Sequence, residues 1–124
     1  MNLDLMNVAW AEPDQQRRIA VLEQCLAPTV TYTTPLAAAD SIDGVATVIG
    51  QVRAQFPGVL PVRTTGVDLH HRHARYGLVM SDGTQRNPVK GLNVITLNEV
   101  PLIQSVTTFL GPPPPITYTY GAPD

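Results

Sequence analysis

One cysteine, Cys25, is all the sequence holds, so no internal disulfide is possible and no thiolate metal site can be assembled. Cys25 falls in an apolar helical stripe, where it reads as a small buried hydrophobe rather than a catalytic thiol. Charge is scarce as well. Only 15% of residues are charged and the net charge is −2, with no run of Lys or Arg to supply the footprint that nucleic acid requires. Nucleic acid is therefore not an expected partner. No stretch approaches the roughly 20 apolar residues of a membrane span. Met1-Asn2-Leu3-Asp4 also lacks the basic and apolar regions of a secretion signal. The expectation is a soluble, cytoplasmic protein with no membrane partner.

What the chain does have is apolar content, 44% over 124 residues, enough for one domain with a real core. The first ten residues read as a short helix. Glu12-Pro13-Asp14 opens a second, in which Ile19, Leu22 and Leu26 recur at helical spacing. Gln15, Arg17, Arg18 and Glu23 fall on its wet side, and Pro28 stops it. Residues 29–33 are β-branched and aromatic, a short strand ended by Pro35. A third helix begins near Asp43, the expected N-cap, and carries the stripe Val45, Val48, Ile49, Val52 and Phe56 until Pro57-Gly58 closes it. Residues 62–70, 75–81, 89–97 and 103–110 read as four strands, with turns at Asp82-Gly83 and at residues 98–101. Helices followed by an antiparallel meander indicate an α+β domain over residues 1–111. Residues 112–124 form a proline-rich tail. Its four consecutive prolines favour a stiff exit over an SH3-type ligand, and Tyr118 and Tyr120 suit an added edge strand.

An ordered set of segments resembles the SnoaL-like members of the nuclear transport factor 2-like superfamily, the fold of ketosteroid isomerase and polyketide cyclases. The set starts with Trp10, Arg17-Arg18 and Leu22, then Val30-Thr31-Tyr32-Thr33-Thr34-Pro35. Phe56-Pro57-Gly58, Val67-Asp68-Leu69-His70-His71 and Ala74-Arg75-Tyr76 follow. Asp82-Gly83, Gly91-Leu92-Asn93-Val94 and Val106-Thr107-Thr108-Phe109-Leu110-Gly111 complete it. The resemblance spans residues 8–111 and implies a cystatin-like α+β roll: a curved antiparallel sheet and N-terminal helices forming a cone around one pocket. It also implies a homodimer through the outer sheet face. It does not imply one function, because this fold hosts isomerases, cyclases, hydrolases and binding proteins.

Strand parity then assigns the pocket. If Asn93 points inward, Ile95 follows it, and Val106, Thr108 and Leu110 share the inner face of the last strand. Trp10, Tyr32 and Thr34 complete the expected lining. For Trp10 a core role and a ligand-stacking role are equally supported, and Tyr32 by parity alone fits an outward position as well. Met80 and Phe56 read as core. The resemblance places the isomerase base, an aspartate, at Thr34, and the hydrogen-bond-donating acid at Asn93. Threonine has no accessible titration near neutral pH, and asparagine donates without exchanging a proton. A positioned base contributes about 10²–10⁴-fold, so steroid-isomerase proton abstraction is not expected.

Among titratable candidates, His71 lies with His70, Arg72, His73 and Arg75 between two strands. It reads first as part of a polar turn, second as a base, and least as a metal ligand. Arg75 fits either an anion anchor or an outward arginine at a dimer seam, paired with Asp68. Asp40 is a weak substitute carboxylate. No metal and no cofactor is expected. The expected function is a pocket that binds or converts a small apolar carbonyl or polyketide-like ligand, divergent from proton-abstracting isomerases. The alternative is an active isomerase, cyclase or hydrolase using His71 or a water as base and Asn93 as oxyanion donor.

Overall fold

The computed structural model describes residues 3–84, 86 and 88–112. Three helices come first, α1 (Leu3–Ala11), α2 (Gln15–Glu23) and α3 (Ile42–Gln55), with β1 (Leu26–Thr33) and the two-residue β2 (Ala38–Ala39) between the last two. The strands β3 (Leu60–Arg63), β4 (Asp68–His70), β5 (His73–Ser81), β6 (Val89–Leu97) and β7 (Ile103–Leu110) follow. The sheet order is β2-β1-β7-β6-β5-β3, with β4 also beside β5. This is the expected α+β architecture, with one difference: the sheet is mixed, because β1 runs parallel to β7 while the other pairings are antiparallel. The proline-rich segment 113–124, with its tyrosines, lies outside the described residues.

Several local expectations need correction. Pro28 does not end α2. That helix closes at Gln24, and β1 is already paired at Leu26 with Ile103. Pro28 instead falls where the β1–β7 register shifts between Leu26 and Thr31, a place that tolerates a missing N–H. The cap of α3 is Ser41, whose hydroxyl accepts from the Gly44 N–H at 3.0 Å, and Asp43 sits in the first turn. Asp14 caps α2 by accepting from the Arg17 N–H at 2.9 Å, so Pro13 stands just before the helix rather than inside it. Residues 62–70 are not one strand. β3 and β4 both pair with β5 but are separated by the loop of residues 64–67, which Gly77 anchors. The Gly77 N–H donates to Thr65 Oγ1 at 2.8 Å, and its carbonyl accepts from the Thr64 N–H at 2.9 Å. A Cβ on Gly77 would lie 3.0 Å from Thr65 Cγ2.

The core sits between the helices and the concave sheet face. Leu22, Val45 and Ile49 from the helices meet Leu26, Val30, Ile95, Ile103 and Val106 from the sheet, all buried. Two features support curvature. The β6–β7 register shifts at Thr96/Leu97. Gly91, opposite Leu110 and Leu78, lets the strands close where a Cβ would come within 3.0 Å of the Phe109 carbonyl oxygen.

Arg18 departs most from expectation. It is not on a wet face: it is 2% exposed. Its guanidinium donates to the Ala9 carbonyl (3.3 Å), to the Glu12 carbonyl (2.6 Å) and to Gln15 Oε1. Arg53 donates to the Trp10 carbonyl at 2.6 Å. Two cations thus satisfy carbonyls at the C-terminal end of α1, where the helix dipole is negative. Burial lowers the Arg18 pKa and neighbouring Arg53 lowers it further, while Glu12 and Asp14 raise it. Since Arg18 makes its bonds in a fork that Lys cannot reproduce, Arg18→Lys and Arg18→Ala are both expected to destabilise by about 2–4 kcal/mol, Ala more. Denaturant unfolding checks this; a change under about 0.5 kcal/mol for Arg18→Ala would refute the assignment.

Candidate active site

Alternation along the strands aims Tyr76, Leu78 and Met80 of β5, Asn93 of β6, and Thr108 and Leu110 of β7 at the helices, where they enclose a cavity of about 540 Å³. Helix α1 contributes Leu3, Asp4, Met6, Asn7 and Trp10, and α3 contributes Val48, Val52 and Phe56. Leu36, Phe56 and Val89 are exposed large hydrophobics on its wall and mark the rim. The rest of the lining is mostly aliphatic.

The polar groups form one connected chain. Asn93 pairs with Tyr76 on one side and Thr108 on the other in strand register. Thr108 Oγ1 donates to Asn93 Oδ1 at 2.6 Å, and Asn93 Nδ2 donates to Tyr76 Oη at 3.0 Å. Polarity therefore runs one way, from Thr108 through Asn93 to Tyr76, and the Tyr76 O–H is left free to face the cavity. Burial pushes the Tyr32 pKa from its ordinary 10 to about 12, with Tyr76 adding to the rise and the Thr108 hydroxyl opposing it. Burial also raises the Tyr76 pKa, against the pull of its Asn93 bond and of the Arg63 charge. Both phenols are neutral donors near neutral pH.

The expected site residues divide into two groups. Trp10, Tyr32, Thr34, Asn93, Thr108 and Leu110 are on the cavity wall, and Trp10 and Tyr32 are at the same time buried in the core. Ile95 and Val106 are not on it. They are buried in the core instead, Ile95 beside its β5 partner Ala74. Thr34 reaches the cavity, but its hydroxyl is occupied, accepting from the Ala37 N–H (3.0 Å) and the Leu36 N–H (3.2 Å) in the turn before β2. Phe56, read as core, is half-exposed at the rim.

His71 is a correction. It occupies the exposed β4–β5 turn with φ 52°, and its Nδ1 lies 3.2 Å from Nδ1 of His70. None of the residues of that turn lines the cavity. Among the described residues, no group of three or more His, Cys, Asp or Glu could hold a metal ion. Arg75 faces the outer side of the sheet and donates to Asp68 at 2.8 Å, an exposed pair of small energetic weight. Asp40 is exposed and off the wall.

The sequence reading missed Tyr76, Arg63 and Asp4 as wall residues. Tyr76 follows from Asn93 once the β5–β6 register is known. Asp4 follows from α1 itself, because Leu3, Met6, Asn7 and Trp10 recur at i, i+3, i+4 and i+7 and sweep it onto the same face. Among the described residues, Asp4 and Arg63 are the charged side chains on the wall.

No family model and no curated protein matches the sequence. Solved structures do. A SnoaL-like family protein from Agrobacterium tumefaciens strain C58, which carries an isomerase description, is 27% identical with a TM-score of 0.81, covering 89% of this chain and 94% of that one. A SnoaL-like protein from Jannaschia sp. CCS1, described as a polyketide cyclase, is 13% identical with a TM-score of 0.61, covering 75% of this chain and 72% of that one. A protein of ketosteroid isomerase-like fold from Catenulispora acidiphila, in complex with trimethylamine, is 14% identical with a TM-score of 0.67, covering 88% and 84%. The chain shares the fold of SnoaL-like and ketosteroid isomerase-like proteins, a likeness that leaves its chemistry open.

The buried phenol makes the site sensitive to alkali. An acid held neutral in the fold, with its pKa raised from 10 to about 12, keeps its proton where the unfolded chain has lost it. Stability from this group is therefore complete below pH 10 and falls as pH rises toward 12. Cys25, pushed by burial from 9.0 to about 11, acts in the same direction from a lower pH. Denaturation midpoints are expected to drop steeply over this window, and Tyr32→Phe should flatten the upper half of the drop. An unchanged alkaline slope in Tyr32→Phe would contradict the burial of this phenol.

Proposed function

We propose that the cavity binds a small, mostly apolar molecule through a carbonyl-type oxygen, which accepts from the Tyr76 hydroxyl with the second Nδ2 proton of Asn93 close by. The observation that carries this reading is the one-way hydrogen-bonded chain ending in a cavity lined otherwise by aliphatic and aromatic groups. A site with few polar groups set in apolar walls is the usual makeup of a small-molecule pocket. A preorganised neutral donor gains most from an oxygen that carries or develops negative charge. The isomerase and cyclase descriptions of the Agrobacterium and Jannaschia proteins accord with it.

Tyr76→Phe is expected to weaken binding of a flat aromatic ketone about fivefold by removing one hydrogen bond worth about 1 kcal/mol. Val52→Trp, which projects an indole from α3 into the cavity, should abolish binding. Calorimetric titration decides the matter: undiminished affinity in both variants would place the ligand elsewhere.

Asp4 favours turnover as a second reading. It supplies the carboxylate that Thr34 and Asn93 lack, and a proton moved by it, directly or through water, would leave charge on an oxygen held by Tyr76. Product analysis with Asp4→Asn tests this; conversion at the wild-type rate in that variant would remove Asp4 as the base. The same reading includes a homodimer through the outer sheet face. There Leu92 and Phe109 are cross-strand partners, 38% and 55% exposed, and Val62 is half-exposed. Light scattering is expected to give twice the chain mass for the wild type and the single-chain mass for Phe109→Lys; a monomeric wild type would refute the dimer.

A further inference from the structure

We propose that the ligand of this cavity is an anion, a small apolar monocarboxylate whose charged end is held by Arg63 together with the Tyr76 hydroxyl. The inference rests on the carbonyl-binding reading of the same site and narrows it to a substrate class.

Strand register places the guanidinium. Arg63 is the β3 partner of Leu78, and Pro61 is the partner of Met80. Leu78, Met80 and Pro61 all line the cavity, so Arg63 stands on the same side of the sheet, and it too lines the cavity. The other arginines with structural roles are committed. Arg18 and Arg53 are bound to α1 carbonyls, and Arg75 is bound to Asp68. Among the described residues Arg63 has no carboxylate within 4.0 Å and makes no side-chain hydrogen bond. Its charge nevertheless reaches the Tyr76 phenol, one of the influences on that group's ionisation. Arg63 is exposed, so a cation without a protein partner stands at the wet edge of an apolar chamber whose wall also carries the Tyr76 O–H.

Arg63 distinguishes a neutral from a charged guest. A neutral ketone seated against Tyr76 offers the exposed guanidinium no partner and displaces part of its water. A carboxylate replaces that water with charge-assisted, bidentate hydrogen bonds. Asp4 limits the charge. It is the other charged group on the wall and is not paired with Arg63, so a second negative charge on the ligand would gain no cation there and would face a carboxylate. One carboxylate on an aromatic or aliphatic body is the class that fits.

A matched pair of probes tests this, 2-naphthoate against the near-isosteric neutral 2-acetonaphthone, titrated calorimetrically near neutral pH into wild type, Arg63→Met and Arg63→Lys. Arg63→Met keeps the aliphatic stem and removes only the charge. The wild type is expected to prefer naphthoate by about tenfold or more, and that ratio should weaken as salt is raised. It should collapse to about one in Arg63→Met and be partly kept in Arg63→Lys. Equal affinities in the wild type, or a preference that survives Arg63→Met, overturns the proposal. If the ketone binds and the acid does not, the carbonyl reading stands and the anionic one falls; if neither binds, both fall.

Discussion

Helix α1 is nine residues long, too short to persist by itself in water, yet it builds one whole wall of the cavity. Besides the burial of Met6, Ala9 and Trp10, a pair of guanidinium groups on its last carbonyls keeps it in place. Arg18 ties Ala9 and Glu12 to α2, and Arg53 ties Trp10 to α3. The cost of burying Arg18 is met by acceptors on every side rather than by a carboxylate. Gly50 belongs to the same arrangement: a Cβ there would lie 3.2 Å from the Arg18 guanidinium. The hollow beneath α1 is thus a consequence of polar anchoring outside the hollow. Packing alone would favour filling it.

Inside, the requirement is reversed. An apolar chamber tolerates polar atoms only if they satisfy one another, and among the described residues no buried side-chain nitrogen or oxygen lacks a partner. Thr108, Asn93 and Tyr76 meet this requirement across three strands, β7, β6 and β5. The chain also ties those strands side by side, which couples the geometry of the site to the register of the sheet.

Much of the fold was legible because period and punctuation agreed. The α3 stripe, the limits of β6 and β7, and the Asp82-Gly83 turn all follow from local pattern. Inward parity at Asn93 then carried Thr108 and Leu110 with it. Three kinds of information were not local. Arg18 looks like a surface residue until α1 is known to end beside it. Ile95 and Val106 have the right parity but are buried in the core, and depth along a strand is invisible to alternation. Tyr76 and Arg63 depend on register across hairpins, and the 62–70 segment gave no hint that it breaks into two strands. His71 drew attention through its residue type, and its place at an exposed turn off the cavity wall removes it.

The neutral side chain at position 93 has a consequence for the direction of its neighbours' protons. An ionised carboxylate there would accept from both flanking hydroxyls, rotating the Tyr76 proton back toward the sheet and leaving lone pairs toward the guest. The amide, by giving a proton to Tyr76 Oη, turns that phenol around before anything enters. Replacing acid by amide therefore does more than delete a titration: it reverses the sign of the dipole presented to whatever occupies the hollow, from one that would welcome a donor to one that receives electron-rich oxygen.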